Sequence, residues 1–84
     1  MVIELEKLFI EQLKKCPLSF QLIFRKVYQQ LKVVDNPIEV KGIMKNKTKH
    51  NDYKLFLAKS RIALKIENDI LKFICFTYNE HFEN

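Results

Sequence analysis

Leu5, Phe9, Leu13 and Cys16 recur at the spacing of one face of a 3.6-residue helix, with Glu6, Lys7, Lys14 and Lys15 falling elsewhere. The pattern predicts a helix over residues 5–16. Pro17 ends it, because proline disfavours helical geometry at the preceding residue, and the same ring can open a second helix. Phe20, Ile23, Phe24, Val27, Leu31 and Val34 then form an apolar stripe, opposite Arg25, Lys26, Gln29, Gln30 and Lys32. Asp35-Asn36-Pro37 closes this second helix. The period then changes from helical to alternating. Tyr53-Lys54-Leu55-Phe56-Leu57 and Arg61-Ile62-Ala63-Leu64-Lys65-Ile66 alternate, Glu67-Asn68-Asp69 reads as a turn, and residues 70–76 are apolar on both faces. This predicts an antiparallel meander. Residues 45–52 are polar and aperiodic, so they read as a loop. Residues 38–44 fit neither period, and Gly42, the sole glycine, marks a turn there. Two helices followed by a meander make an α+β domain, with a helix hairpin packed on a small twisted antiparallel sheet.

Length and composition narrow the class. Eighty-four residues with 48% hydrophobic side chains suffice for one core in one domain, 1–84, and argue against disorder. The longest run without Asp, Glu, Lys or Arg is residues 16–24, too short to span a bilayer, which needs about 20 apolar residues. The acidic start, Met1-Val2-Ile3-Glu4-Leu5-Glu6, has no export pattern. Cys16 and Cys75 form no C-x-x-C pair and read as reduced thiols. The expected setting is the cytoplasm, with no membrane partner.

Charge adds the first functional signal. The net charge is +5, yet residues 41–65 alone carry eight cations and one acid, Asp52, whereas residues 66–84 are net acidic. Such a cluster attracts polyanions. Strand alternation gives it a face. If Leu55, Leu57, Ile62, Leu64 and Ile66 turn toward the helices, then Lys54, Phe56, Arg61, Ala63 and Lys65 turn away. An open face with cations around an aromatic suits an RNA strand, the charges holding phosphates and the ring stacking bases. An ordinary solvated sheet face also favours Lys and Arg; Phe56 is what separates the two readings.

The order of elements resembles the RelE/ParE superfamily of bacterial toxin–antitoxin toxins. Three segments carry the resemblance: Asp52-Tyr53-Lys54-Leu55 as a first meander strand, residues 61–71 as an arginine-led hairpin, and Thr77-Tyr78-Asn79-Glu80-His81-Phe82 as a terminal motif. The family's opening strand can fall only on residues 2–5. The small residue and the His or Arg usual in the terminal motif stand here as Phe76, Thr77 and Tyr78, a departure that bears on nuclease activity more than on fold. The resemblance implies a toxin that cleaves mRNA on the ribosome and is neutralised by a cognate acidic antitoxin. It also implies two alternatives: a ParE-like inhibitor of DNA gyrase, or a degenerate basic binding module.

Metal-free RNA cleavage needs a base for the 2′-OH, cations for the phosphorane and an acid for the 5′-oxygen. Arg61, with its planar fork, is the electrostatic candidate, and the resemblance lands on it. Lys54 can clamp phosphate or act as base. His50 can exchange a proton near neutral pH, or be a solvated loop residue. Tyr78 can act as acid or stack a base, and Phe82 resembles the family's terminal aromatic; His81 is a further candidate. Lys45, Lys47, Lys49, Phe56, Lys59 and Lys65 complete the expected RNA contacts. The scattered His and Cys residues offer no metal-ligand spacing, and one glycine cannot build a phosphate-cradling loop, so no metal or cofactor is expected.

Overall fold

In a computed structural model describing residues 1–79, the chain runs β1 (Val2–Leu5), α1 (Lys7–Lys14), α2 (Leu18–Val33), a 3-10 turn (Pro37–Glu39), then β2 (Ile43–Lys45), β3 (Asp52–Leu57), β4 (Ser60–Glu67) and β5 (Ile70–Tyr78). One five-stranded sheet results, in the order β1-β5-β4-β3-β2. Strands β3 to β5 form the expected antiparallel meander, and β2, over residues that showed neither period or read as loop, adds a fourth antiparallel strand beside β3. β1 adds to the sheet in parallel, pairing Val2 with Ile70 through Leu5 with Phe73. The sheet is therefore mixed. Leu5 lies in this strand rather than in a helix, and the Glu6 N–H continues the ladder to the Phe73 carbonyl at 3.0 Å. Cross-sheet pairing outweighs the local helical period there, and α1 begins two residues later than its apolar spacing suggests.

The core fills the space between the helices and one sheet face. Phe9 is fully buried, with the rings of Phe24, Phe73 and Phe76 at 5.3, 5.2 and 5.3 Å. From α2, Phe20, Phe24, Val27 and Leu31 enter this core, while Ile23, a member of the same stripe, is 42% exposed. The sheet contributes Leu55, Ile62, Leu64, Leu71, Phe73 and Phe76, with Leu57 and Ile66 packed at its margin. The alternation read from the sequence thus places its apolar set against the helices. At the chain start, the Met1 amino nitrogen donates to the carbonyls of Leu31, Lys32 and Val34 at 3.0–3.1 Å, tying β1 to the end of α2.

Residues 36–43 are organised by side-chain capping and one glycine. The Asn36 side-chain Oδ1 accepts from the Ile38 N–H, and the Glu39 carboxylate accepts from the Asn36 N–H, both at 3.1 Å. Gly42 then turns the chain into β2 with φ +95°, and its carbonyl accepts from the Phe56 N–H at 2.8 Å. A β-carbon there would sit 2.7 Å from the Phe56 carbonyl oxygen. Gly42→Ala is accordingly expected to lose at least about 2 kcal/mol, the left-handed backbone penalty plus the displacement of β2 from β3. Urea unfolding checks this; an unchanged midpoint would contradict it.

Candidate nucleic-acid interface

Register decides which side chains share the open face. Lys54 pairs with Ala63 and Phe56 pairs with Arg61, so Lys54, Phe56 and Arg61 project together from the side away from the helices. All three are exposed. On β2, Met44 pairs with Lys54 and extends this face, itself 58% exposed.

β5 joins the face through two irregularities. Its register with β4 shifts between Ala63 and Leu64 and again between Arg61 and Ile62. Each shift inserts one extra residue into β5, and one extra residue reverses the alternation of everything beyond it. Phe73 and Phe76, three apart, therefore both enter the core. Tyr78, two beyond Phe76, lies 51% exposed opposite Arg61. Strict alternation would turn Tyr78 the same way as Phe76.

The Arg61 guanidinium consequently sits between two rings from neighbouring strands, 5.9 Å from the centroid of Phe56 and 5.8 Å from that of Tyr78. Contacts of this kind at exposed sites contribute about 0.5–1 kcal/mol each, which restricts where the fork points. The Thr77 hydroxyl donates to the Arg61 carbonyl at 3.3 Å and ties β5 to β4 at the same place. An open pocket of about 410 Å³ lies here, lined by Phe56, Ser60, Arg61, Tyr78 and the β3–β4 turn.

That turn is strained. Ala58 and Lys59 join the strands with φ of +45° and +65°, a two-residue turn usually made by Asn or Gly. The other tight turn, Asn68-Asp69, uses residues that tolerate this conformation better. The next residue after the strained pair, Ser60, is 1% exposed, and its hydroxyl has no hydrogen-bond partner. A positive-φ turn and a buried hydroxyl without a partner thus both lie at the pocket's rim. Ala58→Gly is expected to raise stability by about 1 kcal/mol by relieving the positive φ. The urea midpoint should rise at constant slope; a fall would contradict the reading.

The remaining candidates divide between this face and other parts of the molecule: Lys45 and Lys47, at the sheet edge, line a second open pocket with Met44, Lys54 and Phe56. Lys59 lines the pocket beside Arg61. Lys65 pairs with Asp52 at the other end of β4, and its ammonium lies 3.6 Å from Glu67. Lys72, through its hydrogen bond and charge, aided by Lys65, holds the Glu67 carboxyl below its ordinary pKa, and Glu67 in turn raises Lys72. Lys65 is thus partly neutralised, whereas the ion pairs among the described residues involve neither Lys54 nor Arg61. Lys45 belongs to a strand, not a loop, and its register opposite Tyr53 places it on the face opposite Lys54. Lys47, Lys49 and His50 are exposed in the connection before Asp52, where the Asn51 carbonyl accepts from the Ile66 N–H at 2.8 Å. His50 therefore sits at the end of β3 away from Phe56 and Arg61. Asp52 alone is four residues from Phe56, about 13 Å of extended chain. Arg61 and His50 do not converge on one phosphate. Phe82 and His81 lie outside the described residues. Among the described residues no group of three His, Cys, Asp or Glu side chains could hold a metal, and no helix is long and apolar enough to cross a membrane.

No family model and no curated protein matches the sequence. Structure comparison is more informative. The chain superposes on one in the crystal structure of the RelB–RelE antitoxin–toxin complex from Methanococcus jannaschii with a TM-score of 0.75, covering 89% of this chain and 88% of that one. The fold is RelE-like. Sequence identity across the match is 20%, so backbone path, rather than shared side chains, carries the likeness. In this RelE-like fold, Arg61, Phe56, Tyr78 and Lys54 occupy the exposed sheet face, with the helices sealing the other.

The sequence did not disclose Met44, Ser60 or the strained turn as neighbours of the site. For the turn a signal existed: two alternating runs separated by a short polar-ended link. For Met44, β2 is too short to show a period. The Ser60 position follows only from the pairing of Ser60 with Leu57.

Proposed function

We propose that this chain is the toxin of a toxin–antitoxin pair and that its open sheet face cleaves mRNA, acting with the ribosome. The observation that carries the proposal is the Arg61 guanidinium held between the Phe56 and Tyr78 rings on a cationic, uncovered face. A flanked guanidinium offers a fixed fork to a phosphate, and the rings offer surfaces on which bases stack. Arg61 stabilises the charge that builds on the phosphorane. Lys54, one two-residue step along the same face, holds the adjoining phosphate or takes the 2′-OH proton. The Tyr78 hydroxyl can supply the proton to the 5′-oxygen. Lys59 and the pocket it lines receive a neighbouring nucleotide, while Lys47 and Lys49 extend the positive track at the far edge. His50 is left out of the chemistry by its distance.

The RelE-like fold, together with the pairing of toxin and antitoxin in the Methanococcus jannaschii complex, supports a protein antitoxin as partner. The charge of this chain suits an acidic one. Inducing the chain in growing cells tests the proposal. Protein synthesis should stop and discrete breaks should appear in mRNA, both prevented by the neighbouring gene product. DNA damage with intact mRNA would favour gyrase as target, and harmless overproduction would favour a binding module; either result overturns the nuclease reading.

A further inference from the structure

Gln12 on α1 and Cys16, two residues past its end, hold the chain on both sides of Tyr78. The Gln12 side-chain carbonyl accepts from the Phe76 N–H at 2.8 Å, at the second of the two irregularities in β5. One turn later, the buried Asn79 amide donates to the Cys16 sulfur at 3.3 Å, and the Cys16 carbonyl is itself held by the Gln21 amide at 3.0 Å. Tyr78 lies between these anchors and projects to the opposite face. Phe76 faces Ile62 across the ladder just before the inserted Thr77, and β1 covers β5 only from Ile70 to Phe73, so the Gln12 oxygen meets the Phe76 N–H beyond the end of β1.

We infer that Gln12 is a positioning residue, which fixes the β5 irregularity and thereby sets the Tyr78 ring against Arg61. Gln12 touches neither residue and acts only through the strand. The inference rests on the proposed role of Tyr78 in holding RNA, but its geometric part is measurable without RNA.

The test uses the full chain labelled with 3-fluorotyrosine, in which Tyr28, Tyr53 and Tyr78 report separately, Tyr78 being assigned with Tyr78→Phe. Gln12→Met removes the acceptor at similar volume, and Gln12→Glu retains it. In Gln12→Met the Tyr78 resonance should shift and broaden while those of Tyr28 and Tyr53 stay. The amides of Phe76, Thr77 and Tyr78 should exchange about tenfold faster. Affinity for a single-stranded oligoribonucleotide should fall by the factor that Tyr78→Ala produces, and Gln12→Glu should restore all three. If Gln12→Met fails to fold, Gln12→Asn, too short to reach Phe76, is read the same way. A folded variant with an unmoved Tyr78 resonance and unchanged exchange would overturn the inference. If Tyr78→Ala leaves RNA affinity intact, the role of Tyr78 in holding RNA fails on its own, and the fluorine and exchange measurements still decide the role of Gln12.

Discussion

Arg61→Ala is expected to abolish toxicity and lower mRNA cleavage by roughly 10²–10³, the scale of losing one preorganised group that meets charge developing in a transition state. The side chain is exposed and enters no ion pair among the described residues, so its removal should cost no more stability than its two ring contacts supply, about 1–2 kcal/mol, which leaves the chain folded. That separation makes the experiment decisive, because loss of activity cannot be assigned to unfolding. Arg61→Lys should recover only part of the activity. A lysine keeps the charge but loses the fork and lies less well between the Phe56 and Tyr78 rings. Induced growth with each variant, beside a urea unfolding curve for each, makes the comparison. A folded Arg61→Ala protein as toxic as the parent would remove Arg61 from the chemistry.

Phe9→Ala is expected to cause the largest loss of stability in the molecule. Phe9 is fully buried where α1, α2 and β5 meet, in contact with Phe24, Phe73 and Phe76. Truncating a buried phenylalanine costs about 3–5 kcal/mol through lost transfer energy and the cavity that remains. A domain of 84 residues has a total stability of roughly 4–13 kcal/mol, so the variant would be marginal or unfolded at growth temperature. A midpoint lower by about 20 °C is expected in thermal unfolding. Leu18→Ala is the control: Leu18 is 70% exposed and should change stability by less than about 0.5 kcal/mol. Equal losses for the two variants would show that the helices do not pack as described.

The helices and the meander were readable because their apolar periods reflect burial of one face, and burial of Phe20, Phe24, Val27 and Leu31, then of Leu55, Ile62 and Leu64, is what the structure shows. The shared face of Lys54, Phe56 and Arg61 was readable for the same reason. β1 was less so, because four residues carry little period and their partner, β5, lies at the far end of the chain. The orientation of Tyr78 could not be read at all. It depends on two inserted residues in β5, between which the Phe76 N–H meets a side chain from Gln12, 64 residues away. His50 illustrates the converse. Its residue type suited the chemistry, yet the direction of β3 carries it away from Arg61, and only pairing register reveals that.

The new RNA ends distinguish metal-free cleavage from every other route to arrested growth. In that chemistry the 2′-oxygen forms a bond to phosphorus as the bond to the 5′-oxygen breaks. mRNA isolated after induction should therefore carry new 2′,3′-cyclic phosphate and 5′-hydroxyl termini, absent with Arg61→Ala. Arrested growth with no new termini, or new termini bearing 5′-phosphate, would contradict cleavage by the Arg61 face.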